Sequence, residues 1–235
     1  MFKSTELVYL FMKTIQYKGR SMRNVEKFKN LDKKKQKRII NAALKEFTAK
    51  GFDQASTNRI VKEAGIGKGM LFYYFKSKKD LYLYLVDYCI EIIREKYFHA
   101  IDTSQQNLFQ RLKDISLIKL NFLKTYPDSM NFMASILFHD EQLDSDLKSK
   151  VEQLHEDGYD IMYRNLDYSL FRKDIDAEKA MKLIEWTFRG YEEELKYLLR
   201  DEDITKIDYQ PYFDEFFAYL DVLQTAFYTK EKDAE

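Results

Sequence analysis

Residues that interrupt helices are scarce in this chain. Its 235 residues include only seven glycines and two prolines, Pro127 and Pro211. No long run of alternating β-branched residues marks a strand. So few breakers, among many Leu, Ile, Lys, Glu and Tyr, favour helices joined by short loops. We therefore predict an all-α fold of about nine helices.

The composition also limits the classes of function. The single cysteine, Cys89, excludes an internal disulfide and fits a reducing cytoplasm. No apolar stretch approaches the roughly 20 residues that cross a bilayer, so we expect a cytoplasmic protein without a membrane partner. The three histidines are scattered, and no metal-ligand or nucleophile pattern stands out. We expect no metal, no cofactor and no enzymatic activity.

The charges are unevenly distributed, although the chain is neutral overall. Between Arg23 and Asp80 there are 16 Lys and Arg against 6 Asp and Glu, and from Leu81 to Glu235 there are 19 against 32. A basic block beside an acidic remainder indicates a polyanionic partner for the first part alone. A solvated, lysine-rich helix face is the alternative interpretation.

Residues 1–30 lie before the helical pattern and show no compelling periodicity. We expect them to form an N-terminal extension that is poorly ordered or partly artefactual. Met22 stands just before the basic block and is a second candidate for the translational start.

Two short helices joined by a tight turn are predicted between Ser56 and Phe75. Ser56 or Thr57 is placed to cap the first helix, which Gly65 ends because glycine readily adopts the left-handed conformation of a tight turn. Small residues around Gly67 allow close approach to a phosphate backbone. The side chains spaced to pack the two helices together are Ile60, Val61, Ile66 and Leu71. This is the pattern of a helix-turn-helix, whose second helix fits the major groove of DNA.

The same stretch resembles the tetracycline-repressor family of transcription regulators. The residues that carry the resemblance are the run from Arg38 to Phe47, then Lys50-Gly51-Phe52, the helix-turn-helix, and Phe75-Lys76-Ser77-Lys78. The resemblance implies a three-helix DNA-binding domain at residues 31–80, followed by a helical ligand-binding and dimerisation domain at residues 81–235.

The resemblance also implies DNA contacts. Thr57 would cap its helix and bind a phosphate, the recognition helix would begin at Lys68 over the groove, and Lys78 would bind the backbone with help from a helix dipole. Lys37 belongs to a basic run that we expect to contact phosphates. The expected DNA contacts are Lys37, Thr57, Asn58, Lys68, Gly69, Met70, Phe72, Tyr73, Tyr74 and Lys78.

Two positions depart from the pattern of the family. Met70 stands where a small polar residue is more usual, and Phe72 stands where tyrosine is frequent. Both exchanges remove a hydrogen-bonding group and favour apolar contact with thymine methyl groups.

Two long amphipathic helices are predicted at residues 176–200 and 211–229. Their wide apolar faces suit a subunit interface as well as a monomer core, and in the resembled family such a pair forms a four-helix bundle across a two-fold axis. The expected interface residues are Trp186, Phe188, Tyr191, Phe213, Phe216, Phe217, Leu220, Leu223 and Phe227.

The intervening helices carry aromatic, methionine and polar-tipped side chains. Such residues suit a cavity for an apolar or aromatic ligand, although stripes of this kind also form plain core. The expected ligand contacts are Tyr88, Ile92, Phe122, Tyr126, Met130, Met133, Phe138, Tyr159, Met162 and Tyr163.

The sequence therefore predicts a ligand-responsive repressor. We expect it to bind a palindromic operator in double-stranded DNA as a homodimer, and to be released by a small apolar or aromatic effector. One alternative is a helical small-molecule-binding protein or enzyme without sequence-specific DNA binding. Another is a nucleoid-type protein that binds DNA without sequence preference.

Overall fold

The computed structural model describes residues 25–137, 145–200, 202 and 206–229. These ranges contain ten α-helices, which confirms the predicted all-α fold. The helices are α1 at residues 25–29, α2 at Lys33–Gln54, α3 at Thr57–Ala64, α4 at Lys68–Tyr74, α5 at Lys78–Ile92, α6 at Leu108–Thr125, α7 at Pro127–Leu137, α8 at Ser145–Tyr163, α9 at Ala177–Leu199 and α10 at Gln210–Phe227. None of the described helices is both long and apolar enough to cross a bilayer.

The chain divides into two units between Asp87 and Tyr88. The sequence places the boundary at Asp80 instead, because the start of α5 is the stronger local signal. Ser77 caps that start, since its Oγ accepts a hydrogen bond from the Asp80 N–H at 3.0 Å. A cap marks where a helix begins, whereas the end of a unit depends on packing that no local pattern records.

The core of the N-terminal unit is built from one face of α2 and from the helices that cover it. Ile39, Ala43 and Phe47 of α2 are buried, as their three- and four-residue spacing predicts. The remaining helices each bury at least one apolar side chain in this unit, among them Ile60 of α3, Leu71 of α4 and Leu81 of α5.

The structure differs from the sequence prediction at residues 25–30. Residues 25–29 are helical, and the Phe28 side chain is fully buried. The Gln36 side-chain amide donates to the backbone oxygens of Lys29 and Leu31, at 2.8 and 2.7 Å. This segment is therefore packed into the N-terminal unit, where the sequence analysis expects an extension outside the compact part.

The C-terminal unit packs α6, α9 and α10 around a shared apolar cluster. Leu108 and Phe109 of α6, Ile184 of α9 and Leu220 of α10 are all fully buried in it. Tyr228 closes the cluster, because its hydroxyl oxygen accepts the Leu108 N–H at 3.2 Å.

Arg111 on α6 is buried, with 1% of its surface exposed. Its guanidinium donates to backbone oxygens on both sides, including those of Thr103 and Gln105 at 3.0 and 2.7 Å and that of Arg164 just beyond α8. These carbonyls compensate the cost of burying the charge. Arg111 thereby ties the segment that precedes α6 to the end of α8.

Candidate functional site

Two short helices and a left-handed turn form the helix-turn-helix. Gly65 has φ 64° and ψ 43° and ends α3, as predicted. The backbone N–H groups of Gly65 and Ile66 donate to the oxygens of Lys62 and Val61, at 3.2 and 3.0 Å. These bonds satisfy the last carbonyls of α3 and turn the chain into α4.

The start of α3 corrects the expectation for Thr57. Ser56 precedes the helix, Thr57 is its first residue, and no side-chain capping bond forms there. The Ser56 N–H donates instead to the Glu46 carboxylate of α2, at 2.8 Å. The Glu46 carboxylate therefore stabilises the N-terminus of α3, a role that the resemblance assigns to the Thr57 side chain.

The same carboxylate holds α3 against α2 through Arg59. The Arg59 Nε donates to both Glu46 oxygens at 2.8 and 3.1 Å, and its Nη2 donates to the Gln54 oxygen at 2.9 Å. This hydrogen bonding lowers the pKa of Glu46 below its ordinary value. The ion pair fixes the position of α3, on which α4 packs.

Helix α4 separates an inner face from an outer face. Leu71 is buried, as its predicted packing position requires, and Phe75 directly after the helix is buried as well. Phe72 and Tyr73 are 37% and 52% exposed. An apolar and a phenolic ring are thus presented outward side by side.

The other expected contacts of α4 vary in exposure. Lys68 and Gly69 are exposed, whereas Met70 and Tyr74 are half-buried. The Lys68 Nζ lies 6.0 Å from the centre of the Phe72 ring. Outside α4, Lys37 and Asn58 are exposed.

Lys78 has partners within the unit. Its Nζ donates to the backbone oxygens of Asp53 and Ala55, at 3.0 and 3.2 Å, and lies 4.8 Å from the centre of the Phe52 ring. The ammonium group therefore holds the segment after the Gly51 bend of α2. This differs from the phosphate contact that the resemblance implies.

Sequence reasoning missed Lys27 and Phe28. The Lys27 Nζ donates to the Tyr73 hydroxyl at 2.9 Å, and the Phe28 ring packs on Tyr74 and Phe75. One apolar residue in a polar stretch creates no periodicity, so the sequence carries little signal for this packing.

A cavity of about 420 Å³ lies in the C-terminal unit. Of the expected ligand contacts, Met130, Met133 and Met162 line it. Tyr97, in the π-helical turn that follows α5, lines it as well, and burial raises the pKa of its hydroxyl.

Phe138 lies outside the described residues, and six further expected ligand contacts are not among the residues that line this cavity. These are Tyr88, Ile92, Phe122, Tyr126, Tyr159 and Tyr163. The last four form two ring pairs four positions apart in the sequence, with centroids 4.9 Å apart for Phe122 and Tyr126 and 4.5 Å apart for Tyr159 and Tyr163. Aromatic residues four positions apart on a helix are neighbours, so their rings pack on each other rather than on a ligand in the cavity.

The expected interface residues also contact other parts of the unit, although only Leu220 is buried and most of the others are half-buried. Those that line the cavity are Phe188, Tyr191, Phe213 and Phe216. Those that pack in or against the apolar cluster are Phe217, Leu220, Leu223 and Phe227. Trp186 is the exception, with 58% of its surface exposed. The apolar faces of α9 and α10 are therefore only partly covered by their own chain.

The potentially reactive groups in the described part of the chain offer little chemistry. Cys89 is buried, and burial raises the pKa of its thiol to about 12. No three or more His, Cys, Asp or Glu residues come together in these ranges in a way that could hold a metal ion. A helix-turn-helix with outward aromatic and lysine side chains on a basic unit instead defines a DNA-binding protein.

Comparison with known proteins gives the family. Residues 39–85 match the family described as bacterial regulatory proteins, tetR family. An HTH-type transcriptional regulator of Staphylococcus aureus (strain USA300) is 27% identical over 145 residues, which cover 61% of this chain and 76% of that protein. The biofilm operon icaADBC HTH-type negative transcriptional regulator IcaR of Staphylococcus aureus (strain Newman) is 26% identical over 132 residues, 52% of this chain and 69% of IcaR.

A solved structure agrees with these relatives. The crystal structure of a TetR family transcriptional regulator from Chloroflexus aurantiacus J-10-FL superposes with a TM-score of 0.56 at 25% identity, covering 87% of this chain and 98% of that one. This chain is therefore similar to bacterial transcription regulators of the tetR family, in its DNA-binding segment and in its fold.

The ion pair between α2 and α3 generates a prediction about pH. Glu46→Gln should lower the free energy of unfolding of the N-terminal unit by about 1 kcal/mol at pH 7, a value kept small because Arg59 is half exposed. The folded-state pKa of Glu46 is depressed, so this contribution is present above the ordinary pKa of 4.5 and is lost as the pH falls through the folded value. Urea unfolding followed by circular dichroism at neutral and acid pH measures it.

Glu63→Gln is the matched control, because Glu63 is exposed on α3 and should be neutral at both pH values. An equal loss of stability for Glu46→Gln at neutral and acid pH would contradict the linkage.

Proposed function

We propose that this chain is a repressor that binds a palindromic operator as a homodimer and leaves it when an apolar effector fills the cavity. It acts in the cytoplasm and has a regulatory role, not a catalytic one. The observation that carries the proposal is the exposure of Phe72 and Tyr73 on α4, directly after a left-handed helix-turn-helix turn. Repression is the direction supported by the relationship to IcaR, a negative regulator.

The proposed DNA surface consists of the outward residues of α4 and their exposed neighbours. Lys68 at the start of the helix would bind a phosphate, and the absent side chain of Gly69 would allow the backbone to approach the DNA closely. Phe72 would contact thymine methyl groups, because its ring offers no hydrogen bond to a base edge. Lys37 and Asn58 would add contacts from α2 and α3.

Binding to DNA from the chain's own upstream region tests this proposal. We expect fluorescence anisotropy to detect a tighter complex with that duplex than with a shuffled one, with a dissociation constant that rises steeply with salt. Lys68→Ala should weaken both complexes several-fold and reduce the salt slope by about 0.9 for one lost phosphate contact. Lys124→Ala, at an exposed position on α6, is the control.

The outcomes separate the alternatives. Equal affinity for the upstream and shuffled duplexes indicates a nucleoid-type protein without sequence preference. No complex with either duplex at physiological salt rejects DNA binding and favours a helical carrier or enzyme.

The proposed dimer uses faces of α9 and α10 that the monomer leaves open. Exposed large hydrophobic side chains on these helices are Leu183, Trp186, Tyr197, Leu198, Tyr219 and Val222. The four on α9 fall on one side of the helix, together with the small Gly190, which permits close approach of a second helix. Contiguous exposed apolar surface of this kind is typical of an interaction site. A dimer also supplies two recognition helices, which a palindrome requires.

Charge substitutions on this surface test the dimer. Trp186→Glu or Val222→Glu should shift the protein from dimer to monomer in size-exclusion chromatography with light scattering, because each would bury an unpaired carboxylate. Leu117→Glu is the matched control, since Leu117 on α6 is 58% exposed, as is Trp186. A dimer that survives both substitutions would place the interface elsewhere.

The cavity defines the chemistry of the proposed effector. Its walls are mostly apolar, and the phenols of Tyr97 and Tyr209 are among the polar groups that line it. Lys119 and His155 also line it. Phenols whose pKa is raised by burial stay protonated and donate hydrogen bonds. The effector should therefore combine an apolar or aromatic body with an acceptor group.

Removing one hydroxyl tests this assignment. Tyr97→Phe should weaken the binding of 8-anilinonaphthalene-1-sulfonate, an aromatic probe with acceptor oxygens, by about fivefold, because one hydrogen bond is lost without a change of shape. Fluorescence titration measures the affinity. Tyr88→Phe is the control, because Tyr88 lies on α5, before the π-helical turn that carries Tyr97, and does not line the cavity. Equal effects of the two substitutions would exclude Tyr97 as a ligand contact.

A further inference from the structure

The segment before α2 is anchored on the recognition helix. Phe28 is fully buried, and its ring centre lies 4.9 Å from that of Phe75, 5.4 Å from Tyr84 and 5.6 Å from Tyr74. Burying a phenylalanine side chain of this kind is strongly stabilising. Tyr74 is the last residue of α4 and Phe75 directly follows it, so α1 is fixed to the end of the helix that we propose to bind DNA.

A second anchor holds the same segment to α2. The Gln36 side chain is buried and donates to the oxygens of Lys29 and Leu31. These two bonds satisfy carbonyls at the end of α1 and just after it, so the backbone on the C-terminal side of Phe28 is fixed. The Asn30 N–H donates to the Glu26 oxygen at 3.0 Å, so the residue before Phe28 lies within a hydrogen-bonded turn.

That residue is Lys27, and its ammonium group reaches the outer face of α4. The Lys27 Nζ donates to the Tyr73 hydroxyl oxygen at 2.9 Å. Lys27 is exposed, and none of the ion pairs between described residues includes it. Tyr73 is itself 52% exposed, so its hydroxyl hydrogen is available for a further acceptor.

We infer that Lys27 and Tyr73 form a composite phosphate-binding site, in which Lys27 orients the phenol and adds its charge to the same DNA phosphate. The hydroxyl accepts from the ammonium and donates to the phosphate oxygen, a charge-assisted chain that strengthens both hydrogen bonds. The inference rests on the proposed DNA binding. It makes α1, which the sequence leaves outside the domain, part of the reading surface.

The composite site predicts that removing the Lys27 side chain lowers the affinity for the operator duplex. Lys27→Ala should raise the dissociation constant for the operator duplex by about five- to tenfold at physiological salt and reduce the salt slope by about 0.9, because one phosphate contact disappears. Lys29→Ala is the matched control, since Lys29 is an exposed lysine on the same segment and should change the affinity less than about twofold. Lys27→Arg should restore most of the binding, because it keeps the charge and the donors.

A double-substitution cycle separates positioning from simple charge. Tyr73→Phe and Lys27→Ala together should cost much less than the sum of their separate effects, since each breaks the same chain. Strictly additive losses would reject the composite site. An unchanged affinity and salt slope for Lys27→Ala would also reject the composite site. In that case, selective binding of the operator by the unaltered chain would still support the proposed function. Thermal unfolding of Lys27→Ala should match that of the unaltered chain, whereas a purely structural role would lower its midpoint without changing the salt slope.

Discussion

Helix α4 exists because of two buried side chains. At seven residues it is far too short to persist alone in water, where even favourable helices need about 12 to 15 residues. Leu71 and Phe75 are 2% and 1% exposed, and their burial holds the helix in place. Once these two point inward, the helical period directs Phe72 and Tyr73 outward. The reading surface is therefore a consequence of how the core is packed, and the Glu46–Arg59 ion pair preserves that packing by fixing the neighbouring helix.

The helix-turn-helix could be predicted from the sequence because local chemistry determines it. Gly65 is required at a left-handed position, and Leu71 lies where it must pack on the preceding helix. Such signals involve residues a few positions apart. The Phe28 anchor has no comparable signal, because its partners lie about fifty residues further along the chain. A single ring in a polar segment becomes informative only when its tertiary neighbours are known.

The C-terminal unit shows a different limit. The periodicity of α9 and α10 predicts their apolar faces but does not say what covers them. Phe188 and Phe216 line the cavity and Leu220 lies in the core, so the face that the periodicity predicts for a partner also contributes to the interior of the unit. The face that remains open carries Trp186 and Val222. The helix pair thus has two apolar faces, and the sequence pattern alone does not tell which of them contacts a second chain.

The charge distribution adds a constraint on how such a protein can use DNA. From Leu81 onward the chain has 19 Lys and Arg against 32 Asp and Glu, so this part is repelled by phosphates. The attraction comes mainly from the segment between Arg23 and Asp80, which has 16 Lys and Arg against 6 Asp and Glu. In a neutral chain with this asymmetry, most of the surface contributes little free energy to non-specific DNA binding. Each lysine of the reading surface then carries a larger share of the binding, because few other cations compensate for its loss.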